Sequence, residues 1–172
     1  MNPARLAATS LGAAALLAAG SVALSAALLP ERVPTHFALD GAADDWSSRV
    51  GAVTFMAVLT VALAALFAGL AALVPRIPWD LVNLPDKQRW TELGKQDVVR
   101  RRLRTDLCWV GSATVLLVAV GNLAVLAAAR SGSGRLPWWA GAVFGVWLLG
   151  LLGYALVGTR RRYRAPDQGR TD

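Results

Sequence analysis

Four stretches of the chain, Leu6–Pro30, Val50–Pro75, Leu107–Ala129 and Leu136–Thr159, contain no Asp, Glu, Lys, Arg or His. Each is 23 to 26 residues long. As a helix each would run about 35 Å, against roughly 30 Å of bilayer hydrocarbon. A segment in lipid must satisfy its own backbone hydrogen bonds, which leaves helices or closed barrels. The Ala, Leu, Val and Gly content of these windows suits helices. Composition agrees, with 55% hydrophobic and 17% charged residues, where soluble domains carry about 45–50% and about 25%. The expectation is an all-α integral membrane protein with four transmembrane helices, at 6–29, 51–74, 107–129 and 137–158 of a single membrane domain. An outer loop (30–49), an inner loop (75–106) and a cytoplasmic tail (159–172) complete it.

The charges orient the spans. Fourteen Lys and Arg residues fall on the side of the N-terminus, the 75–106 loop and the tail, and only Arg32, Arg49, Arg130 and Arg135 on the other. The positive-inside rule then places both termini in the cytoplasm, N-in and C-in, as a multi-pass protein of the cell inner (plasma) membrane. Seven acids lie inside and four outside, so the net +7 sits wholly on the inner face. Topology and attraction to anionic headgroups account for the basic residues, including Arg100–Arg104, without nucleic acid as a partner. Arg5 and the cleavable-looking Ala23-Leu-Ser25 resemble a secretory signal, but the apolar run is too long for one, and an uncleaved anchor is expected. A lone Cys108 offers no disulfide and no thiol pair for a metal.

The outer segment holds the only histidine, His36, with Asp40, Asp44 and Asp45. Pro30 and Pro34 favour an extended run over Arg32–Phe37. Asp40-Gly41 marks a turn, and Ser47 or Ser48 is placed to cap the second span. A small cap on the membrane surface is predicted, with Phe37 and Trp46 at headgroup depth. In the inner segment, Pro85 in a first turn capped by Asn83 or Leu84 would start an amphipathic helix. Trp90, Leu93, Val98, Val99 and Leu103 form its apolar positions as it runs to Asp106 and the third span. Asp97 and Arg101, four apart, suit a weak ion pair. The short Arg130–Arg135 loop makes spans three and four antiparallel neighbours, and Trp residues flank both faces.

No ionisable residue falls inside a span, which argues against proton relays, ion-coupled transport and intramembrane proteolysis. Asn122 is the one strongly polar residue at depth, and a bond to a neighbouring helix is expected of it. Gly141 and Gly145, and likewise Ser21 and Ser25, have the spacing of close helix packing. His36, Asp40, Asp44 and Asp45 are the only metal candidates, but their spacing fits neither a zincin nor a calcium loop. A histidine bonded to a carboxylate or backbone and shaping the loop is the favoured reading, with no cofactor. A Ser47/His36/Asp45 triad lacks any nucleophile-elbow signature.

Leu29-Pro-x-x-Val-Pro-Thr-His-Phe, followed by Gly41, Asp44, Trp46 and Ser48-Arg49, resembles the signature of a bacterial membrane family known as domain of unknown function 1648. Asn83-Leu-Pro-Asp-Lys-Gln-Arg-Trp90 is similar to an Asn-x-Pro-Asn-Lys-x-x-Trp stretch of related proteins, with Asp86 replacing the second asparagine. The resemblance implies recognition positions at Pro30, Pro34, His36, Phe37, Gly41, Asp44, Trp46, Arg49, Asn83, Pro85, Lys87 and Trp90. It also implies kinship with the Sdp toxin-immunity protein. The expected function is that of a non-enzymatic inner-membrane protein with an immunity, envelope-sensing or accessory role through its outer loop. Its partners would be the bilayer and an envelope protein or membrane-active peptide, with a homo-oligomer left open. The alternatives are a metal-binding or hydrolytic site around His36, or a small transporter subunit.

Overall fold

The computed structural model describes residues 3–166. It is mostly helical, and four helices are long and apolar enough to cross a membrane. In chain order the elements are α1 (Pro3–Leu28), β1 (Arg32–Phe37), β2 (Ala43–Ser48), α2 (Arg49–Leu73), α3 (Lys87–Glu92), α4 (Gln96–Arg130), α5 (Trp138–Gly153) and α6 (Thr159–Arg162). A π-helical turn, Tyr154–Gly158, joins α5 to α6.

The bundle core is built by α1, α2 and α4. On α1 the buried residues are Ala7, Leu11, Ala14, Ala18, Ser21 and Ser25, a four–three alternation that keeps one seam facing a neighbour. On α4 the positions Cys108, Ser112, Val115, Ala119, Asn122 and Leu126 repeat the same alternation. Most of these side chains are small, so the backbones approach closely and dispersion replaces the hydrophobic effect that lipid cannot supply. Two polar contacts cross the seam. Ser10 Oγ and Ser112 Oγ lie 2.7 Å apart, and Asn122 Nδ2 donates to Ser21 Oγ at 3.2 Å. Residue numbers rise together in these pairs, so α1 and α4 run parallel. α2 runs the other way, with Ala71 beside Ala7 and Cys108 at one end and Ala52 beside Leu29 and Leu126 at the other. Asn122 thus makes the interhelical bond expected of it.

Closest approach occurs at Gly111 on α4, where a Cβ would stand 2.6 Å from Phe67 Cβ and Cγ on α2. By contrast, α5 touches α4 but buries no residue of its own. The Cβ positions of Gly141 and Gly145 meet nothing within 4 Å, so among the described residues no helix packs against this spaced glycine pair.

Four expectations are corrected. The chain is not all-α, because β1 and β2 form an antiparallel hairpin with Arg32 opposite Ser48 and Pro34 opposite Trp46. The Arg32–Phe37 stretch, the turn at Gly41 (φ +81°) and the Ser48 cap, whose Oγ accepts from Gly51 N–H at 3.1 Å, stand as anticipated. The inner helix begins at Lys87, with Asp86 at its N-cap in a left-handed conformation (φ 54°), so neither Asn83 nor Leu84 is the cap. That helix also stops at Glu92, because Gly94 turns the chain at φ +61° before α4 starts at Gln96. The four ion pairs among the described residues do not include Asp97 with Arg101.

Candidate functional site

At one end of the bundle the hairpin lies over the ends of α1, α2 and α4. Val33 and Pro34 are both fully buried, with Val33 in a cluster with Leu29, Ala52 and Leu126. Trp46, opposite Pro34 in the register, shares its face and is 39% exposed. Arg49 closes the base of the hairpin: its Nη2 donates to Glu31 Oε1 at 2.6 Å, its Nη1 to the Leu29 carbonyl at 3.3 Å, and its N–H to the Glu31 carbonyl at 3.0 Å. Pro30 is exposed and ends α1, since a helix cannot continue through it without losing a hydrogen bond.

The turn is tied to the last outer loop, a junction that the spacing of the residues did not announce. Ala43 N–H donates to the Gly134 carbonyl and Leu136 N–H to the Gly41 carbonyl, each at 2.9 Å. Arg135 Nη2 donates to the Asp40 carbonyl at 2.6 Å, and Asp40 Oδ1 accepts from Ala42 N–H at 3.0 Å. Gly134 leaves room for the Trp46 ring, whose atoms would stand 3.4 Å from an added Cβ. Arg32 covers the same ring at 5.6 Å from its centroid, a cation–π contact. The signal available in the sequence was the pairing of charge between Asp40 and Arg135 around a glycine-rich loop.

The Ala42 N–H, and then the Arg135 guanidinium, hold the Asp40 carboxyl below its ordinary range. A depressed carboxylate stabilises the fold above its unfolded pKa and loses that contribution as pH falls through the folded value. Acidification below about pH 4 is therefore expected to loosen the turn from the 130–137 loop while the helices persist. Amide protection factors at Ala42 and Ala43 measured across that range would show it, and Asp40→Asn should abolish the pH dependence.

His36 and Asp44 come together, with Nδ1 2.6 Å from Oδ1, but the two side chains are 71% and 48% exposed. Asp40 faces Arg135, and Asp45 Oδ1 accepts from Trp46 N–H at 2.8 Å. Among the described residues no group of three His, Cys, Asp or Glu side chains converges on one point. Exposed pairs of this kind contribute about 0–1 kcal/mol, so His36→Ala is expected to move thermal unfolding by no more than that. A loss of several kcal/mol would instead show that His36 holds the hairpin together.

Beneath the hairpin lies a cleft of about 470 Å³. Its rim carries Thr35, Asp45 and Ser47 from the strands, and Phe55, Met56, Val125 and Asn122 form its walls. Trp46 and Pro34 border it, while His36, Phe37, Gly41 and Asp44 do not. Most of the polar groups gather at the hairpin, and apart from Asn122 the helix walls are apolar, an arrangement that accepts an amphipathic ligand. Nothing in the spacing of the residues identified this cleft, because α2 and α4 contribute walls more than sixty residues apart.

The second group of candidate residues lies at the opposite end of the bundle. Trp90 is 1% exposed, and its Nε1–H donates to the Tyr163 carbonyl at 2.8 Å. Lys87 Nζ donates to the Asp80 carbonyl at 2.8 Å, whereas Asn83 and Pro85 are exposed. Arg100 Nη1 caps the end of α2 by donating to the carbonyls of Val74, Pro75 and Ile77, groups that a helix C-terminus leaves without partners. Asp106 accepts from Tyr163 OH at 2.6 Å and from Arg162 Nε at 2.9 Å, docking the segment after α5. Burial and the Asp106 carboxylate hold the Tyr163 hydroxyl well above its ordinary pKa, so it remains a donor. Asp106 and Tyr163 were absent from the sequence candidates. The motif residues therefore form two separate clusters, one at each end.

No curated protein and no solved structure matches the chain. A family model does: residues 13–61, running from within α1 through the hairpin into α2, match the domain of unknown function DUF1648. The match takes in the outer motif, Leu29–Arg49, and ends before the Asn83–Trp90 segment.

Proposed function

We propose that this chain is a non-enzymatic protein of the bacterial inner membrane, with both termini cytoplasmic, whose outer hairpin recognises an envelope protein or membrane-active peptide. The single observation that carries this reading is the cleft under the hairpin, polar at Thr35, Asp45 and Ser47 and apolar at Phe55, Met56 and Val125. An amphipathic peptide lying in the outer leaflet would present its polar face to the strands and one or two apolar side chains to the helices. The four-span bundle, the charge asymmetry and the match to a family of unknown function are compatible with this role. A kinship with the Sdp toxin-immunity protein, which the resemblance of the outer motif implies, would point the same way.

A photo-crosslinking amino acid in place of Phe55, in the chain expressed in a sensitive bacterial strain, tests the reading. Challenge with membrane-active peptides should yield a peptide adduct at this position and improved survival, both reduced at least tenfold by Ala52→Trp, which fills the cleft. Unchanged survival together with lipid adducts alone would remove the recognition role.

A further inference from the structure

We propose that the opposite, basic end of the bundle holds an anionic phospholipid, its phosphate between α3, the start of α4 and the docked C-terminal segment, and an acyl chain between α4 and α5. This inference rests on the membrane-spanning reading alone and is independent of the outer cleft.

The phosphate cavity has a volume of about 470 Å³ and is bordered by Lys95, Arg102, Arg161, Arg162 and Arg164. Among the described residues no carboxylate lines it. Asp106 neutralises Arg162 from outside, through Nη2 at 2.9 Å from Oδ1. Among the described residues, none of the other four cations is in an ion pair. Like charges gathered around one cavity repel until an anion enters, and guanidinium forks match phosphate oxygens in pairs.

Two of these cations, Arg102 and Arg162, are held in position. Arg102 stacks over the Trp90 ring at 5.4 Å and donates through Nη1 to the Arg162 carbonyl at 2.6 Å. Ala165 N–H reaches Asp86 Oδ2 at 3.2 Å, and Trp90 and Tyr163 fasten the same segment from beneath. A site ordered before binding loses less entropy when the ligand arrives.

The identity of the ligand follows from what adjoins the cavity. A second space of about 480 Å³ opens between α4 and α5, walled by Trp109, Val110, Ala113, Trp147 and Leu151. Arg162 borders both spaces and its ion-pair partner Asp106 borders the second, so the basic cavity and the largely apolar groove adjoin at this neutralised pair. A soluble phosphate would fill only the first; a phospholipid fills both. Diffuse attraction of basic residues to the membrane surface would make every arginine of that face equivalent, whereas this geometry singles out the cations that line the cavity, Lys95, Arg161 and Arg164 among them.

The test uses the full chain in nanodiscs of equimolar phosphatidylglycerol and phosphatidylcholine, with retained lipid measured by native mass spectrometry. Phosphatidylglycerol should be retained preferentially. The triple variant Lys95→Gln, Arg161→Gln, Arg164→Gln should lower that preference about a hundredfold, at roughly a factor of five for each cation near the surface. A control removing equal charge, Arg89→Gln, Arg101→Gln, Arg104→Gln, should change it less than threefold. Gly150→Leu places a side chain in the groove, where an added Cβ meets nothing within 4 Å. It should reduce retention of phosphatidylglycerol at least fivefold with the basic cavity intact. Equal losses in the two triples, or full retention in Gly150→Leu, would overturn the proposal. Displacement of the lipid by millimolar inorganic phosphate would assign the cavity to a soluble phosphate instead. Should the cavity triple fail to fold, Gly150→Leu and the phosphate competition still decide.

Discussion

Trp90→Ala is expected to release the segment after α5 from the inner end of the bundle. The indole is the largest fully buried side chain in the described residues, packed with Val99, Tyr163 and Ala165, and its Nε1–H satisfies the Tyr163 carbonyl. Truncating such a side chain costs about 3–5 kcal/mol from lost burial and the cavity left behind. Here the loss falls on a local unit, because α3 and the docked segment meet the bundle through this cluster, Asp106 and the Arg102 bond to the Arg162 carbonyl. The membrane helices should therefore remain folded. Limited trypsin digestion offers a direct readout, since Arg160, Arg161, Arg162 and Arg164 all lie in the affected segment. Cleavage there should rise at least a hundredfold in Trp90→Ala. Trp90→Phe keeps most of the apolar volume but orphans the Tyr163 carbonyl, and should lose about 1–3 kcal/mol. Unchanged cleavage in Trp90→Ala would show that the polar contacts of Asp106, Arg102 and Asp86 hold the segment without the indole.

Gly111→Ala should destabilise the bundle itself. The added methyl would stand 2.6 Å from Phe67 Cβ, an atom that cannot swing aside without moving α2. Overpacking of this kind costs about 1–3 kcal/mol, more than the ~1 kcal/mol gained by replacing glycine in a helix. Gly121→Ala is the matched control on the same helix, where a Cβ meets nothing within 4 Å. It should be neutral or stabilising. Unfolding in mixed micelles would separate the two, and equal stability of both variants would mean that α2 and α4 do not meet at this point.

Much of the architecture could be read from residue types. Four uncharged windows predicted four helices, and their limits in the structure agree to within a few residues at most ends. Pro30 and Pro34 predicted an extended run, Gly41 a turn, and Ser48 a cap, because each acts on the backbone within a few residues of itself. The inner helix was placed too early, since Asp86 takes a left-handed conformation that its side chain tolerates but does not dictate. Its break at Gly94 was missed because apolar periodicity continues on both sides of the glycine. Periodicity records which residues face inward and says little about a change of direction between turns.

The candidate sites divide along the same line. The outer motif was recognisable as a pattern, and the match at residues 13–61 covers it. Its most conspicuous members, His36 and Asp44, proved to be an exposed pair beside the cleft, not part of it. The residues that shape the cleft, Phe55, Met56, Asn122 and Val125, look from the sequence like any other span residues. At the other end, Asp106 and Tyr163 acquire their roles only from each other.

What the sequence determined by itself was everything set by local forces. These are the partition of apolar windows into lipid, the placing of net charge on one face, and the backbone preferences of proline, glycine and serine. What only the tertiary structure decided was which distant groups meet: Asp40 with Arg135, Ser21 with Asn122, Trp90 with Tyr163, and Phe67 with Gly111. The reason is physical. Within lipid nearly any apolar side chain may face outward at little cost, so burial patterns alone leave the pairing of helices undetermined. Short-range packing of small residues and a few hydrogen bonds then select one arrangement, and with it the clefts at either end.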